Sequence, residues 1–215
     1  MTTSSATWNR KGDKTDVSRV RIRDAAARLF RQQGYAAVSL RAIAAASGMK
    51  AGSLYYHYES KDQIIVEILD EGILVVHRAV AKATGALPPD ATAAELVRAG
   101  VVSHLRALLE YTDYTSANVR IYGQVPDEIR AANLAVRRDY EALWDGILAR
   151  AAERGGAVGG LRPGVDLRAF RLMLIGALNA TLEWFDWGRG GIEDLANRYA
   201  DILLNGLLQT PESPS

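Results

Sequence analysis

The sequence predicts an all-α protein, and three features of its 215 residues favour this fold class. Proline occurs at only six positions, so long stretches contain no helix-breaking residue. Runs of β-branched residues alternating with polar ones, which strands favour, are missing. Apolar residues instead recur three and four positions apart along most of the chain, which is the spacing of one face of an amphipathic helix.

The amino-terminal part predicts a long helix, two short ones and a second long one. The first runs from Val17 to about Gln33 and ends at Gly34. Its apolar stripe consists of Ile22, Ala26, Leu29 and Phe30. Ser39 can cap a second helix through Ser47, after which Gly48 supplies a turn.

A third helix spans about Lys50 to Tyr56, and Ser60 caps a fourth that reaches about Ala83. TGALPPDAT, residues 84–92, is the clearest break in the chain. Five further helices are predicted at about 92–111, 115–122, 126–153, 165–187 and 190–208. GGAVGGLRPG, residues 155–164, is expected to be flexible, and QTPESPS at the carboxyl end to be frayed.

Charge divides the chain unevenly. Residues 1–61 hold 11 Lys and Arg against 4 Asp and Glu, whereas the remainder holds 15 against 21. A basic head on an acidic body favours a polyanionic partner for the head, and nucleic acid is the preferred one. We therefore predict a flexible basic arm at 1–17 and a DNA-binding domain at 18–78, followed by an acidic body at 79–215, for which ligand binding and dimerisation are expected from the resemblance described below.

Composition excludes several other classes of protein. The chain has no cysteine, so it can form neither a disulfide nor a thiolate zinc site, and the cytoplasm is the expected compartment. The apolar stretch from Leu172 to Leu178 is too short for a membrane span, and the first residues do not resemble a secretion signal. The three histidines are too scattered for a metal site, and no cofactor is predicted.

The segment KAGSLYYHY, residues 50–58, joins small residues to a cluster of rings. Two short helices connected by a glycine turn behind a longer helix are typical of a helix-turn-helix, whose second short helix enters the major groove. Small side chains let the backbone approach base edges, and phenol or imidazole groups can donate to phosphates. Alternatively, Tyr55, Tyr56, His57 and Tyr58 lie at the edge of the core; Tyr58 fits that interpretation best.

SLRAIAAASGMKAGSLYYHYESKDQII, residues 39–65, resembles the helix-turn-helix of the TetR family of bacterial transcriptional regulators. With AAARLFRQQGY upstream, the resemblance spans about residues 18–76. The departures are Ser47 for Ala, Lys50 for Ser, Tyr58 for Phe and Asp62 for Glu. The resemblance implies a TetR-like fold, with a three-helix helix-turn-helix domain followed by a helical body.

The resemblance also implies DNA-binding roles for individual residues. Arg41 would reach a base or phosphate; Lys50, Ala51 and Ser53 would face base edges; Tyr55, Tyr56, His57 and Lys61 would hold phosphates. The full predicted set is Ser39, Arg41, Lys50, Ala51, Gly52, Ser53, Tyr55, Tyr56, His57 and Lys61. Basic residues from Arg10 to Arg23 are expected to extend this contact as an arm, unless they are only solvated.

The body is expected to form a homodimer through its last two helices. FRLMLIGALNATLEWFDW, residues 170–187, is apolar nearly all round, so it must be covered on several sides. The final helix adds apolar residues at helical spacing, and together the two helices suit a self-complementary four-helix interface. The alternative is that both helices belong to the core of a single chain.

The body also loosely resembles regulators of fatty-acid and steroid catabolism that respond to acyl-CoA thioesters, through Leu174–Trp184, Trp187–Gly191 and Leu203–Leu207. That resemblance implies a hydrophobic effector, an acyl-CoA among the candidates. The candidate ligand-binding residues are Arg120, Tyr122, Arg137, Arg138, Leu143, Trp144, Phe170, Leu174 and Leu178. The apolar members of this set are equally compatible with ordinary core.

No enzyme is predicted, since the sequence contains no nucleophile or nucleotide-binding motif. Glu183 and Asp186 lie three positions apart and could form an acid–base pair, but a solvated face is the preferred explanation. We predict a regulator, most simply a repressor that leaves a palindromic operator when its effector binds. The competing hypothesis is a helical ligand-binding protein or enzyme that retains the head as a scaffold.

Overall fold

The computed structural model describes residues 10–111, 113–154, 161, 164–186, 188 and 190–207. Their regular elements are helices, which confirms the predicted fold class. These are α1 (Arg10–Ala37), α2 (Leu40–Ala46), α3 (Ala51–Tyr55), α4 (Lys61–Gly85), α5 (Ala93–Arg106), a π-helical turn (Ala107–Tyr111), α6 (Asp113–Ile121), α7 (Asp127–Ala132), α8 (Leu134–Glu153), α9 (Leu167–Trp184) and α10 (Ile192–Leu207). None of the helices in these residues is long and apolar enough to cross a membrane.

Helix α1 is longer than the sequence predicted. It begins at Arg10, so residues 10–17, expected in a flexible arm, are helical, and it continues past Gly34 to Ala37. Adding residues to an established helix costs little, which explains the early start. Gly34 takes a non-helical φ of 79° and ψ of −179°, so the regular helix is interrupted there as predicted, and residues 35–37 follow beyond the kink. Residues 1–9, most of Gly155–Gly164 and QTPESPS lie outside the described residues.

The single helix predicted for 126–153 is wrong at Asn133, where the chain turns between α7 and α8. The Asn133 side chain is fully buried. Its Nδ2 donates to Asp70 Oδ1 at 2.7 Å, and its Oδ1 accepts from Arg137 Nε at 2.9 Å. A buried amide needs such partners, and these tie the turn to α4.

The apolar side chains form two cores, which we call the head core and the body core. The head core is formed by α1, α2, α3 and the first half of α4. Residues of α6 and α7 complete it, including Tyr114, Ile121 and Ile129. The body core joins the second half of α4 to α5, α8, α9 and α10. Helix α4 contributes to both, with the change between Leu69 and Ile73. The predicted division after residue 78 therefore falls within a helix shared by the two cores.

Helix α6 packs closely against α4. A Cβ on Gly72 would lie 2.6 Å from the Tyr114 carbonyl oxygen, so only glycine permits this approach. Asn118 Nδ2 donates to the Leu69 carbonyl at 2.5 Å. A segment that follows residue 79 in the sequence is thus attached directly to the head.

Candidate nucleic-acid interface and ligand groove

The turn between α2 and α3 is built from local hydrogen bonds. Ser39 Oγ accepts from the Ala42 amide at 3.2 Å and caps α2, as predicted. Gly48 takes a φ of 68°, and the next amide, that of Met49, donates to the Ala44 carbonyl at 2.9 Å. The turn orients α3 with Leu54 fully buried beneath it.

Tyr58 belongs to the support beneath the interface. It is buried, and its hydroxyl donates to Glu67 Oε2 at 2.8 Å. Burial, reinforced by this hydrogen bond, raises the pKa of the Tyr58 phenol above its ordinary value. The prediction that Tyr58 is structural agrees with this position.

The outer face of α2 and α3 carries most of the predicted DNA-binding set. Tyr55 is 56% and Tyr56 74% exposed, so neither phenol lies at the edge of the core. His57 is half-buried, and its ring meets the Tyr56 ring edge-on with centroids 5.3 Å apart. Ala51 is half-buried, and the exposed members of the set are Ser39, Arg41, Lys50, Gly52, Ser53, Tyr55 and Tyr56.

Lys61 lies at the start of α4 but is already engaged. Its Nζ donates to the Tyr35 carbonyl at 3.1 Å and to the Val38 carbonyl at 3.3 Å. The same ammonium lies 4.0 Å from the centre of the Tyr35 ring. Lys61 therefore holds the end of α1 against α4, a structural role that the sequence did not reveal.

The arginines expected in the arm support the helix-turn-helix from behind. Arg19 Nη1 donates to the His57 carbonyl at 2.8 Å, and its other nitrogen pairs with Glu67. Arg21 Nη2 donates to the Ser47 carbonyl at 2.8 Å. Arg23 lies 3.4 Å from Glu67 Oε2. For these three residues, the expectation of a flexible extended contact is wrong.

The apolar residues predicted to line a ligand pocket lie mainly in the body core. Trp144, Leu174 and Leu178 are fully buried, Phe170 nearly so, and Leu143 is half-buried. Packing around the indole is tight, since a Cβ on Gly100 would lie 2.7 Å from Trp144. None of the five lines the three described cavities of about 610, 380 and 230 Å³, and their assignment to a ligand pocket stays a prediction beside the interpretation as ordinary core.

Of the predicted cationic set, Arg137 is committed to the protein. Its guanidinium lies 3.3 Å from the centre of the Tyr122 ring and donates to Asn118 Oδ1 at 3.1 Å and to Asn133. Burial lowers the pKa of Arg137. Arg120 and Arg138 are exposed, and Arg120 lines a 380 Å³ cavity between α1, α6 and the end of α9.

A larger open groove of about 610 Å³ runs between α4 and α5. Its apolar floor consists of Val75, Ala79, Ala83, Ala86, Ala99 and Val102. Arg78, Lys82 and Arg106 stand along it, together with Ser103. The sequence analysis missed this groove, although alanines and cations recurring every three to four residues along α4 were a visible signal.

The candidate acid–base pair has a simpler role. Glu183 is exposed, and Asp186 Oδ1 accepts from the Gly188 amide at 2.9 Å, which closes a turn.

Comparison with known proteins identifies the architecture. The family described as bacterial regulatory proteins of the tetR family matches residues 22–68. The tetracyclin repressor-like carboxyl-terminal domain matches residues 90–207, more than half of the chain. This chain belongs to the TetR family. As a TetR-family member it is a DNA-binding transcriptional regulator and not an enzyme, as the sequence analysis expected.

Individual TetR-family proteins resemble the chain over most of its length. The HTH-type transcriptional repressor KstR2 of Rhodococcus jostii is 30% identical over 207 residues, covering 88% of this chain and 90% of the relative. PfmR from Thermus thermophilus has 28% identity and a TM-score of 0.71, over 86% of this chain and 97% of PfmR. FadR from Bacillus subtilis, solved with stearoyl-CoA, has 22% identity and a TM-score of 0.72, over 87% and 98%.

The hydrogen-bonded cluster around His104 in the body could not be predicted from local sequence. His104 is buried, with Nδ1 2.6 Å from the Tyr140 hydroxyl and Nε2 3.3 Å from Asn179 Oδ1. Trp144 Nε1 donates to the same Tyr140 oxygen at 2.8 Å. The four residues come from three separate helices, so only the tertiary fold brings them together.

Proposed function

We propose that this chain is a homodimeric repressor that binds a palindromic operator through α3 and leaves it when an acyl-CoA thioester binds the body. The observation that carries the proposal is the outer face of α2 and α3. There Arg41, Lys50 and two tyrosines project to solvent from a scaffold anchored by buried Leu54 and Tyr58.

Each exposed group suits a different part of a DNA duplex. Arg41 can pair with guanine through two hydrogen bonds, and Lys50 and Ser53 offer donors to base edges. Gly52 has open space around its Cα, so the backbone can approach the groove floor. Tyr55, Tyr56 and His57 can donate to flanking phosphates.

The dimer is assigned to α9 and α10. The inner faces of these helices complete the body core, yet they expose Leu172, Met173, Trp184 and Ile202 by 52–70%. Gly176 and Ala180 are exposed on α9 and permit close approach of a second helix. An apolar face of this kind supports a two-fold interface, which would present two α3 helices about 34–36 Å apart or a multiple of that.

The effector class rests on relatives and on charge. FadR, a structure of the same fold, was solved with stearoyl-CoA. The body of this chain carries an excess of carboxylates, yet the groove of about 610 Å³ between α4 and α5 is lined by three cations on an apolar floor. In an acyl-CoA, the acyl chain matches the apolar floor and the phosphates match the cations.

The proposal is tested by gel shift with the DNA upstream of the gene at several salt concentrations. We expect salt-sensitive, sequence-selective binding that stearoyl-CoA reverses. Arg41→Ala should relax specificity at one position by about 1–3 kcal/mol. In the operator complex a phosphate at the start of α4 can replace the Tyr35 and Val38 carbonyls as the partner of the Lys61 ammonium. Lys61→Ala should then weaken binding to all sequences and lower the salt slope by about 1.

Gln33→Ala, which truncates an exposed side chain of α1 outside the α2–α3 face, serves as the control and should leave binding unchanged. Absence of sequence preference at low salt would refute the operator-binding role. The opposite pattern for Arg41 and Lys61 would refute the two role assignments.

A further inference from the structure

The groove between α4 and α5 has the composition of a site for an amphiphilic anion. Its floor is formed by small and branched aliphatic side chains, which favour contact with an alkyl chain over water. Its charged lining residues are Arg78, Lys82 and Arg106, and no carboxylate lines it among the described residues. A cleft lined by charges of one sign focuses the electrostatic potential and attracts counter-ions.

The cations of the groove differ in how they are held. Arg78 pairs with Glu71 at 2.6 Å and Arg106 pairs with Glu193, all four side chains being at least one-third exposed. Ion pairs of that exposure stabilise a protein only weakly, so a phosphate can replace either carboxylate at little cost. The Lys82 ammonium has no ion pair or hydrogen bond to the parts of the chain that the structure describes, and it lines the groove one helical turn beyond Arg78 on α4.

We propose that this groove is the effector site, in which the aliphatic floor holds the acyl chain of a CoA thioester and Arg78, Lys82 and Arg106 hold its phosphates. This inference rests on the proposed function. It moves the effector from the buried residues of the body core to an open groove that a ligand can enter without unpacking Trp144. Arginine can bind phosphate through two hydrogen bonds, and lysine adds a mobile point charge.

Occupation of the groove would act directly on the operator-binding head. The groove is lined by the second half of α4, and the first half of the same helix packs in the head core from Ile64 to Leu69. A chain wedged between α4 and α5 favours a position of α4 different from the one seen here. The free energy by which the ligand weakens DNA binding cannot exceed the difference between its binding free energies for the two positions of α4.

The test is calorimetric titration of the purified full-length protein with stearoyl-CoA, CoA and stearate, each below its micelle concentration. We expect Lys82→Gln to raise the Kd for stearoyl-CoA about threefold, and the triple variant Arg78→Gln/Lys82→Gln/Arg106→Gln about tenfold or more. Stearate should be affected less, because it carries fewer charges. Arg150→Gln, which neutralises an exposed cation at the end of α8, is the matched control and should leave the Kd unchanged.

A second variant fills the groove without altering its charge. Ala83→Phe should weaken stearoyl-CoA and stearate alike, and melting temperature without ligand checks that the variant folds. If stearoyl-CoA binds the wild type and releases the operator, but the groove variants have the same Kd for stearoyl-CoA as Arg150→Gln, the groove assignment is wrong. The proposed function then still stands. If the wild type binds the operator but no acyl-CoA, both the effector class and the groove assignment fall.

Discussion

At the scale of single residues, His104 shows how burial fixes a protonation state. Trp144 Nε1–H donates to the Tyr140 oxygen, so the Tyr140 hydroxyl is left to donate to His104 Nδ1. The proton of neutral His104 then belongs on Nε2, which faces Asn179 Oδ1. Every polar group in this chain of contacts is satisfied only while the imidazole is uncharged. Burial accordingly lowers the pKa of His104 to about 4.

We expect this histidine to make the protein less stable in mild acid. The unfolded chain binds the proton near the ordinary pKa of 6.5, whereas the folded chain does not until about pH 4. Stability contributed by the neutral ring is therefore present above pH 6.5 and decreases as pH falls toward 4, by up to about 1.4 kcal/mol per pH unit. Urea denaturation from pH 7.5 to 4.5 measures this slope.

His104→Gln retains hydrogen-bonding capacity without a titrating group, and His77→Gln controls for a half-buried histidine whose ring lies 6.1 Å from that of Tyr140. The slope should flatten in His104→Gln and persist in His77→Gln. An unchanged slope in His104→Gln would show that other groups, carboxylates above all, cause the acid sensitivity.

Several residue roles were predictable from sequence because they depend on neighbours in the chain. The Ser39 cap and buried Leu54 follow from spacings of three and four residues within one motif. The Lys61 contacts with Tyr35 and Val38 could not be predicted, since they join residues more than twenty positions apart. A lysine ammonium that can bind a phosphate, as the family pattern implies for Lys61, can equally donate to backbone carbonyls. Only the folded structure shows that the carbonyls are its partners in the free protein.

At the scale of elements, the turn after α6 meets α1 at its kink. The Tyr35 amide donates to Gln124 Oε1 at 2.9 Å, and Gln124 Nε2 donates to the Arg120 carbonyl at 2.9 Å. A Cβ on Gly34 would lie 2.9 Å from the same Gln124 oxygen. One side chain thus links the carboxyl end of α6 to the segment that leads into α2.

We expect Gln124→Ala to loosen this link while leaving the operator-reading residues in place. Operator affinity without effector should change by no more than about tenfold, because a single partly exposed hydrogen bond contributes about 0.5–1.5 kcal/mol and about 1.4 kcal/mol corresponds to a factor of ten. The stearoyl-CoA concentration needed for half-release should rise more than that. Gel shifts at fixed protein concentration measure both quantities.

Gln33→Ala, at an exposed position of α1, is the control for Gln124→Ala. Equal half-release concentrations in the two variants would mean that the turn contact does not transmit the effector signal.

Helix positions were largely predictable, and the assignment of helices to cores was not. The apolar spacing placed α2, α3, α4 and α9 within a few residues of their observed limits. For α6, the same spacing predicts a buried face but does not predict that this face packs in the head core. The predicted ligand residues stay a prediction for a related reason: an apolar stripe identifies burial, and the burial of Trp144 and Leu174 does not distinguish contact with protein from contact with a ligand.

At the scale of the whole molecule, the proposed dimer is needed for operator recognition. One helix-turn-helix contacts a half-site only, and two-fold pairing lets a second copy contribute on the same duplex. Leu172 on α9 is 57% exposed and Ile202 on α10 70% exposed, although both are large and apolar. Covering them in a two-fold interface removes apolar area from water on both copies.

Placing charges on this face should separate the subunits. We expect Leu172→Glu and Ile202→Glu each to raise the dimer dissociation constant about a hundredfold, as is typical for central interface positions. Leu134→Glu changes a 40% exposed leucine on α8 and should leave the dimer intact. Analytical ultracentrifugation measures the association, and gel shift should show operator affinity falling in parallel. A wild-type protein that sediments as one subunit at micromolar concentration would contradict the proposal.

Because α4 runs without interruption from the head core into the body core, no separate hinge interrupts this connection among the described residues. In the proposed mechanism, a substitution that tightens either core therefore also shifts the balance between the two positions of that helix. Selection for thermal robustness and selection for sensitivity to the inducer therefore act on the same side chains. Variants adapted to warmer surroundings should need more inducer to reach the same level of gene expression.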